Sequence, residues 1–502
     1  MLASLESAAV IGIEAAPVHI EVDLCFGLPR FLLVGLPDTS VKESRDRVHA
    51  AIRNSGFDFP QHRIVINMAP ADVRKAGSAF DLPIALGVLA ASGVVRERDI
   101  RDVVVVGELA LDGTIHPARG VLPIAMAARR QKAAALLLPA SNAAEAGVVE
   151  GLRLLPVATL FDAVERLNQD RRDWPATAAS PRPASRASEL GADLADVRGQ
   201  GFARRALEVA AAGGHNLLML GPPGAGKTML ARRLPTILPP LGFDEALEST
   251  AIHSVAGLVP PGGSLLAERP FRAPHHTISD AALVGGGPHP RPGEVSLAHH
   301  GVLFLDEMPE FERRVLDGLR QPLEEGRITI SRVARSIVFP ARFMLVAAMN
   351  PCPCGYLGHP TRACRCTPQQ VVRYGSRVSG PLRDRLDLTV EVEPVPLGSL
   401  ASAQAAEPSA AVRARVMGAR ERQAGRQACL NAQLTGRSLL KQCALNDAAR
   451  GLLERSAERL HLSARGFHRV LKVARTIADL AGEDRVGTPS LAEALQYRLD
   501  ML

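Results

Sequence analysis

An eight-residue loop, Gly221-Pro222-Pro223-Gly224-Ala225-Gly226-Lys227-Thr228, restricts this chain more than any other feature. It follows an apolar run, Asn216–Leu220, and leads into a helix-like stretch, Met229–Leu234. Strand, glycine-rich turn and helix in that order make a phosphate cradle. The glycines let backbone N–H groups close on the anion, and the helix N-terminus adds a favourable partial charge. Lys227 is then placed to reach the β- and γ-phosphates of ATP, and the Thr228 hydroxyl to hold Mg²⁺. A second apolar run, Val302–Leu305, ends in Asp306 and Glu307. An acidic pair at a buried strand's end suits Mg²⁺ binding by Asp306 and polarisation of the attacking water by Glu307.

At 502 residues the chain exceeds a single core, which predicts roughly two to four domains. With one Trp and three Tyr, those cores must be built from aliphatic side chains. The net charge of +7 points to an anionic partner such as nucleic acid, although many arginine-rich proteins have no such partner. Seven cysteines in so long a chain exclude a disulfide framework. The most apolar stretch, Ala79–Val95, contains Asp81 and Pro83 and is too short to span a membrane. The first residues, Met1–Glu6, lack the basic region of a secretory signal. A cytoplasmic protein with no membrane partner is expected.

Residues 1–168 alternate short apolar runs with amphipathic segments and predict a self-contained α/β domain. Phe31–Gly35, Arg63–Asn67 and Val103–Val106 read as strands, and Val41–Ser55, Gly120–Lys132 and Thr159–Leu167 as helices. Residues 169–190, with Pro175, Pro181 and Pro183 among Ala, Ser and Arg, read as a linker. A second α/β block covers 191–396 and carries the nucleotide motifs. Residues 397–502 read as helical, with helices at Ala411–Arg426, Asp447–Leu460 and Gly466–Gly482. Asn446 or Asp447 is available to cap the second of these.

A third apolar run, Phe343–Met349, ends in Asn350, a polar tip able to hydrogen-bond the attacking water or the γ-phosphate. This order of motifs resembles the AAA+ ATPases, with Asn350 at the first sensor position. Gly380–Leu388 resembles the segment that bears the arginine finger in the magnesium-chelatase and MCM helicase branch. The resemblance puts Arg385 in that role and implies a homo-hexamer, since a finger reaches a neighbour's γ-phosphate. An intrachain ion pair of Arg385 with Asp384 or Asp387 is the alternative. Ser463–Arg469 resembles the second sensor of the helical lid, with Arg465 as the γ-phosphate contact and Arg469, one turn later, as the substitute. Val197–Gln200 resembles the segment that packs near the adenine.

Phe271–Asp280, Gly285–Gly287 and Arg291–Glu294 resemble the pore-facing helix-2 insertion of magnesium-chelatase ATPase subunits. His275 and His276 within it are adjacent, so on a strand they point to different faces, which favours hydrogen bonding over a shared metal. Glu325–Phe339 alternates like a hairpin, with Arg332 and Arg335 near its turn. In related helicases such a hairpin lines the channel, which implies phosphate contacts to DNA without reading of sequence; a solvated hairpin outside the ring is the alternative. Cys352, Cys354, Cys364 and Cys366 form two close pairs across a loop, a set that suits tetrahedral Zn²⁺. His359 could replace one thiolate, and free thiols are the other reading.

In the first domain, Gly77–Ala85 and Val106–Gly113 with Arg119-Gly120 resemble the proteolytic domain of Lon proteases. Ser78 takes the place of the nucleophile, but Leu122 falls where the lysine base belongs, and Lys75 lies outside the matching position. That implies a Lon-like fold without peptidase chemistry. A Lon-like α/β domain ahead of an AAA+ core with a helical lid and paired cysteines resembles the YifB/ComM family over nearly the whole chain. The family implies an ATP-fuelled hexamer acting on single-stranded or branched DNA, by branch migration or helicase action in recombination during natural transformation. The alternative is a magnesium-chelatase-type metal-insertion subunit. Against it stand the missing Asp-x-Ser-x-Ser sequence and a first domain that reads as foreign to that role.

Overall fold

The computed structural model describes residues 1–73, 75, 77–96, 100–175, 191–287, 290–331, 336–395 and 406–498. Part of the expected linker (176–190), the expected DNA-contacting residues Arg332 and Arg335, and the expected core–lid boundary near 396 lie outside them. The chain divides into two compact units, Met1–Ala184 with Phe243–Leu266, and Ser185–Gly242 with Ala267–Leu502.

The first unit is built on a seven-stranded sheet. Its strands are β1 (Leu2–Ile11), β2 (Glu14–Cys25), β3 (Arg30–Val34), β4 (Arg63–Ala69), β5 (Val103–Val105), β6 (Ala135–Pro139) and β7 (Leu154–Val157), in the order β3-β4-β2-β1-β5-β6-β7. β1 and β2 form a long antiparallel hairpin, with Leu2 opposite Asp23 and Ile11 opposite Glu14. On β2, Val18, Ile20, Val22 and Leu24 are buried while His19 and Glu21 are exposed, the period-two pattern of a half-covered strand.

Helices α1 (Ser44–Asn54), α2 (Asp81–Ala91), α3 (Val121–Arg130) and α4 (Leu160–Asn168) accompany this sheet. The helix expected over 41–55 is divided, with Thr39–Lys42 ahead of α1. Every residue of α2 is buried, so the most apolar stretch of the chain is a core helix. Its one charge, Asp81, is held by Arg47 at 2.7 and 3.0 Å and by the Ser44 hydroxyl. Burial still raises the Asp81 carboxyl above its usual range, with Arg47 opposing. A capping box starts α4: Thr159 accepts from the Asp162 N–H at 3.1 Å and Asp162 from the Thr159 N–H at 3.0 Å.

Helix Phe243–Ala256, inside the expected 191–396 block, packs in the first unit. Gly120 N–H donates to the Ser254 carbonyl at 3.1 Å, Gly262 N–H to Ser141 at 3.0 Å, and the Ser254 hydroxyl bonds Glu145.

The second unit holds a parallel sheet of β8 (Leu217–Leu220), β9 (Phe271–Arg272), β10 (Val302–Leu305), β13 (Met344–Met349) and β14 (Leu388–Glu391), ordered β9-β10-β13-β8-β14. A separate antiparallel hairpin pairs β11 (Arg327–Ser331) with β12 (Ser336–Pro340). β10 and β13 are buried at every residue, as parallel strands covered on both faces must be. Helices α5 (Gly201–Gly213) and α6 (Lys227–Ile237) flank the phosphate loop, and α7 (Ser409–Arg426), α8 (Asp447–Arg459), α9 (Ala464–Ala481) and α10 (Thr488–Gln496) follow. Asn446 caps α8, accepting from the Ala449 N–H at 2.8 Å. Buried Asp479 on α9 joins three elements by accepting from Arg475 at 2.9 Å, Arg426 at 2.7 and 2.8 Å, and Asn431 at 2.8 Å. Among the described residues, no helix is long and apolar enough to cross a membrane.

Candidate active site

Parallel pairing sets the C-terminal ends of three strands side by side: Leu305 is paired with Ala347, and Leu220 with Met349. The residues that follow them (Asp306 and Glu307, Asn350, and the loop from Gly221) therefore meet at one edge, where ligands of parallel sheets bind. Gly221 N–H donates to the Met349 carbonyl at 3.2 Å. A Cβ on Gly221 would stand 2.2 Å from the Val392 carbonyl oxygen, so only glycine lets the loop start against β14.

Gly221, Pro222, Pro223, Gly224, Ala225 and Gly226 make the turn, and α6 begins at Lys227. Lys227 Nζ donates to the carbonyls of Gly221 at 2.6 Å and Pro222 at 2.9 Å, and to Asn350 Oδ1 at 3.0 Å. Burial lowers its pKa, and the Asp306 and Glu307 carboxylates counter that by favouring the charged form. Thr228 Oγ1 donates to Asp306 Oδ2 at 2.6 Å. Two hard oxygen ligands so close, beside an ammonium, fit a Mg²⁺–triphosphate. Glu307 is exposed and left-handed at φ 50°, its N–H on Asp306 Oδ1 at 3.0 Å. Such a backbone costs about 1–3 kcal/mol and here turns Glu307 out of the strand line while Met308 is buried. The structure thus gathers Lys227, Thr228, Asp306 and Asn350, with Glu307 alongside.

The segment around Arg385 is tied to the same sheet by Asn216 at the foot of β8. The Asn216 amide donates to the Arg385 carbonyl at 2.9 Å, its N–H donates to Asp387 at 3.1 Å, and its side-chain oxygen accepts from Leu345 N–H at 2.8 Å. Arg385 pairs with Glu324 at 2.7 Å and with the Pro381 carbonyl at 2.6 Å. The intrachain ion pair weighed as the alternative forms with Glu324 in place of Asp384 or Asp387, because Asp387 faces Asn216 and Asp384 faces Arg465 and Arg469. Arg465, largely exposed, lies 3.6 Å from Asp384. Arg469 donates to the carbonyls of Arg383 at 3.1 Å and Leu386 at 2.8 Å and to Asp384 at 3.3 Å. Arg465 and Arg469 therefore both rest on the Arg385 segment.

Gln200 donates to Ala225 in the loop at 3.3 Å and to the Glu393 carbonyl. Sequence reasoning missed Asn216, Glu324 and Tyr374. Burial raises the Tyr374 phenol to about 12, with Glu310 and Glu307 adding to the rise and the Asn350 backbone opposing it. A polar residue at the foot of an apolar strand was the available signal for Asn216; neither of the others carries one.

His275 and His276 do not sit on a strand. Their rings lie 4.1 Å apart, which corrects the expectation of opposite faces, and His275 Nδ1 bonds Thr277 Oγ1 at 2.9 Å. The four cysteine sulfurs converge: Cys352 to Cys354 is 3.4 Å, Cys352 to Cys364 3.7 Å and Cys354 to Cys364 3.6 Å, with Cys366 in the same cluster. Backbone N–H groups of Arg365 and Tyr356 lower the Cys354 thiol to about 6. His359 stays outside the cluster, its Nδ1 accepting from the N–H groups of Thr361 and Arg362 at 3.2 Å.

In the first unit, the Ser78 hydroxyl bonds Glu108, and buried Lys75 donates to the Gly35 carbonyl at 3.0 Å and to Pro70. Leu122 is buried on α3.

Three family models match along the chain: magnesium chelatase, subunit ChlI, at residues 193–400; subunit ChlI of Mg-chelatase at 20–142; and the ChlI C-terminal region at 406–498. The match at 20–142 corrects the reading of the first domain as foreign to chelatase subunits, so its presence does not separate the two functional readings. The chain is 49% identical to competence protein ComM of Haemophilus influenzae, over 99% of this chain and 97% of that protein. It is 47% identical to the uncharacterized protein YifB of Salmonella typhimurium over the same shares. The magnesium-chelatase 38 kDa subunit of Cereibacter sphaeroides is 26% identical, over 56% of this chain and 84% of its own. The chain belongs to the YifB/ComM family of magnesium-chelatase-like ATPases.

Proposed function

We propose that the chain is an ATP-driven motor that works on DNA as a homo-hexamer in the cytoplasm, migrating branches or unwinding strands in recombination during natural transformation. One observation carries this reading: a strand edge that gathers Lys227, Thr228, Asp306 and Asn350, with Glu307 beside them, in a chain alike from end to end to a competence protein. The net charge of +7 supports a polyanionic partner.

Lys227 exchanges its two loop carbonyls for phosphate oxygens when ATP enters. Thr228 and Asp306 would hold Mg²⁺, which would supply neutralisation of the phosphate charge. Glu307 accepts a proton from the attacking water, and Asn350 orients that water or the γ-phosphate. Arg385 leaves Glu324 to reach the nucleotide of the next protomer, and Arg465 answers to the γ-phosphate from the lid. Arg332 and Arg335 contact DNA phosphates. Cys352, Cys354, Cys364 and Cys366 would hold a Zn²⁺ in a structural role.

The test is ATP turnover of the purified full chain with and without three- and four-way junctions, at stated low salt, since phosphate-driven binding weakens steeply as salt rises. Stimulated turnover with strand displacement is expected. Neither occurring across the low-salt range would sink the reading.

A magnesium-chelatase role is the second reading, favoured by three family matches that all describe a chelatase subunit. Metal insertion into a porphyrin with partner chelatase subunits would establish it.

A further inference from the structure

We propose that Cys352, Cys354, Cys364 and Cys366 bind one zinc ion as a tetrathiolate, and that the metal-bound turn is the wall seating Pro223 and Asn350 in the nucleotide site. The first half stands on geometry alone. Four thiolates around Zn²⁺ at about 2.3 Å place their sulfurs about 3.8 Å apart. The three closest separations in the cluster are 3.4, 3.6 and 3.7 Å, and all four sulfurs lie within 4.8 Å of one another. All four thiols are free of disulfides. Cys352 and Cys354 lie on a turn closed by Gly355 N–H on the Cys352 carbonyl at 2.9 Å. Cys364 and Cys366 lie on an extended stretch before helix Pro368–Gly375. The segment between the pairs contains neither helix nor strand, and its described packing is Tyr356 against Arg362 and His359. Neither a helix nor a strand brings the two pairs together, and a soft cation at the four sulfurs would hold them there. Thiolates select zinc over magnesium or calcium, so the ion does not compete with the one at Thr228 and Asp306.

The second half rests on the ATPase reading. Gly355, next to Cys354, lies against the phosphate loop: a Cβ there would stand 2.5 Å from Pro223 Cδ and 3.8 Å from Asn350 Cγ. Its φ of +81° also belongs to glycine. Asn350 is two residues from Cys352. The turn that takes the metal is therefore the surface on which the loop proline and the Asn350 side chain rest. Releasing the metal frees that surface to move.

The experiment uses the full chain and reads metal and nucleotide separately. Elemental analysis should find one zinc per protomer, and Co²⁺ added to metal-stripped protein should give the visible bands of a tetrahedral tetrathiolate. Cys364→Ser with Cys366→Ser, changed on the side away from Asn350, should lose the metal and weaken binding of a fluorescent ATP analogue by about tenfold or more. Because that variant could misfold, Gly355→Ala is the second arm. It should keep zinc and its circular dichroism yet weaken the analogue about tenfold, and adding Pro223→Ala should restore part of the loss. Wild-type protein that takes up neither zinc nor cobalt overturns the metal site. Zinc at full occupancy with unchanged nucleotide affinity in Gly355→Ala overturns the wall. A wild type that holds zinc but no nucleotide supports the metal site and overturns both the wall and the ATPase reading.

Discussion

Lys75 in the first unit and Lys227 in the second have closely similar immediate surroundings. Each is buried, each donates to two backbone carbonyls, and burial lowers the pKa of each. Beyond those carbonyls they differ. Lys75 is enclosed by the backbone of Gly35 and Pro70, and nearby Ser78 gives its hydroxyl to Glu108 instead. Lys227 also meets Asn350, and the oxygen pair of Thr228 and Asp306 stands beside it with Glu307 exposed. A buried lysine is thus no sign of chemistry in itself; acceptors and metal ligands converging at a strand edge are.

The contrast breaks most sharply at Arg385. Arg385→Ala should assemble but lose about 10³–10⁵-fold in ATP turnover, and mixing it with Lys227→Ala should restore some activity. Without that complementation, the second unit's site is complete in one protomer and Arg385 serves only Glu324. Next comes Glu307→Gln, expected to bind ATP while turning over about 10²–10⁴-fold more slowly, read by analogue binding beside steady-state hydrolysis. Asp479→Asn tests the lid rather than the site. It leaves the Arg475 and Arg426 charges uncompensated and should cost about 3–5 kcal/mol, seen as a lower Tm. The smallest effect belongs to Ser78→Ala, where only a hydrogen bond to the Glu108 carboxylate, about 1.5–3 kcal/mol at most, is lost. ATP turnover should be unchanged and no casein cleavage should exist to abolish; serine-dependent cleavage would reverse the comparison.

The gathering of Lys227, Thr228, Asp306 and Asn350 at one strand edge was legible because a phosphate-loop pattern demands fixed residue types at fixed spacing beside apolar strands. Helices α4, α8 and α9 were legible through caps and periodicity. The β1–β2 hairpin escaped because β1 is rich in small residues such as Ala3, Ala8 and Ala9, whose burial no apolar run announces. Helix Phe243–Ala256 packs in the first unit through backbone carbonyls and Glu145, contacts that carry no local pattern. The Glu324 partner of Arg385 lies 61 residues away in sequence, and no neighbouring residue points to it.

Asn216 has a mechanical consequence. One side chain links the foot of the strand that leads to the phosphate loop, the strand that ends in Asn350, and the carbonyl of Arg385 itself. Under the proposed motor reading, a shift of β8 would be passed through this bond to the Arg385 backbone. In a ring, such gearing would make each subunit's occupancy a signal to the next, favouring firing in turn over firing at random.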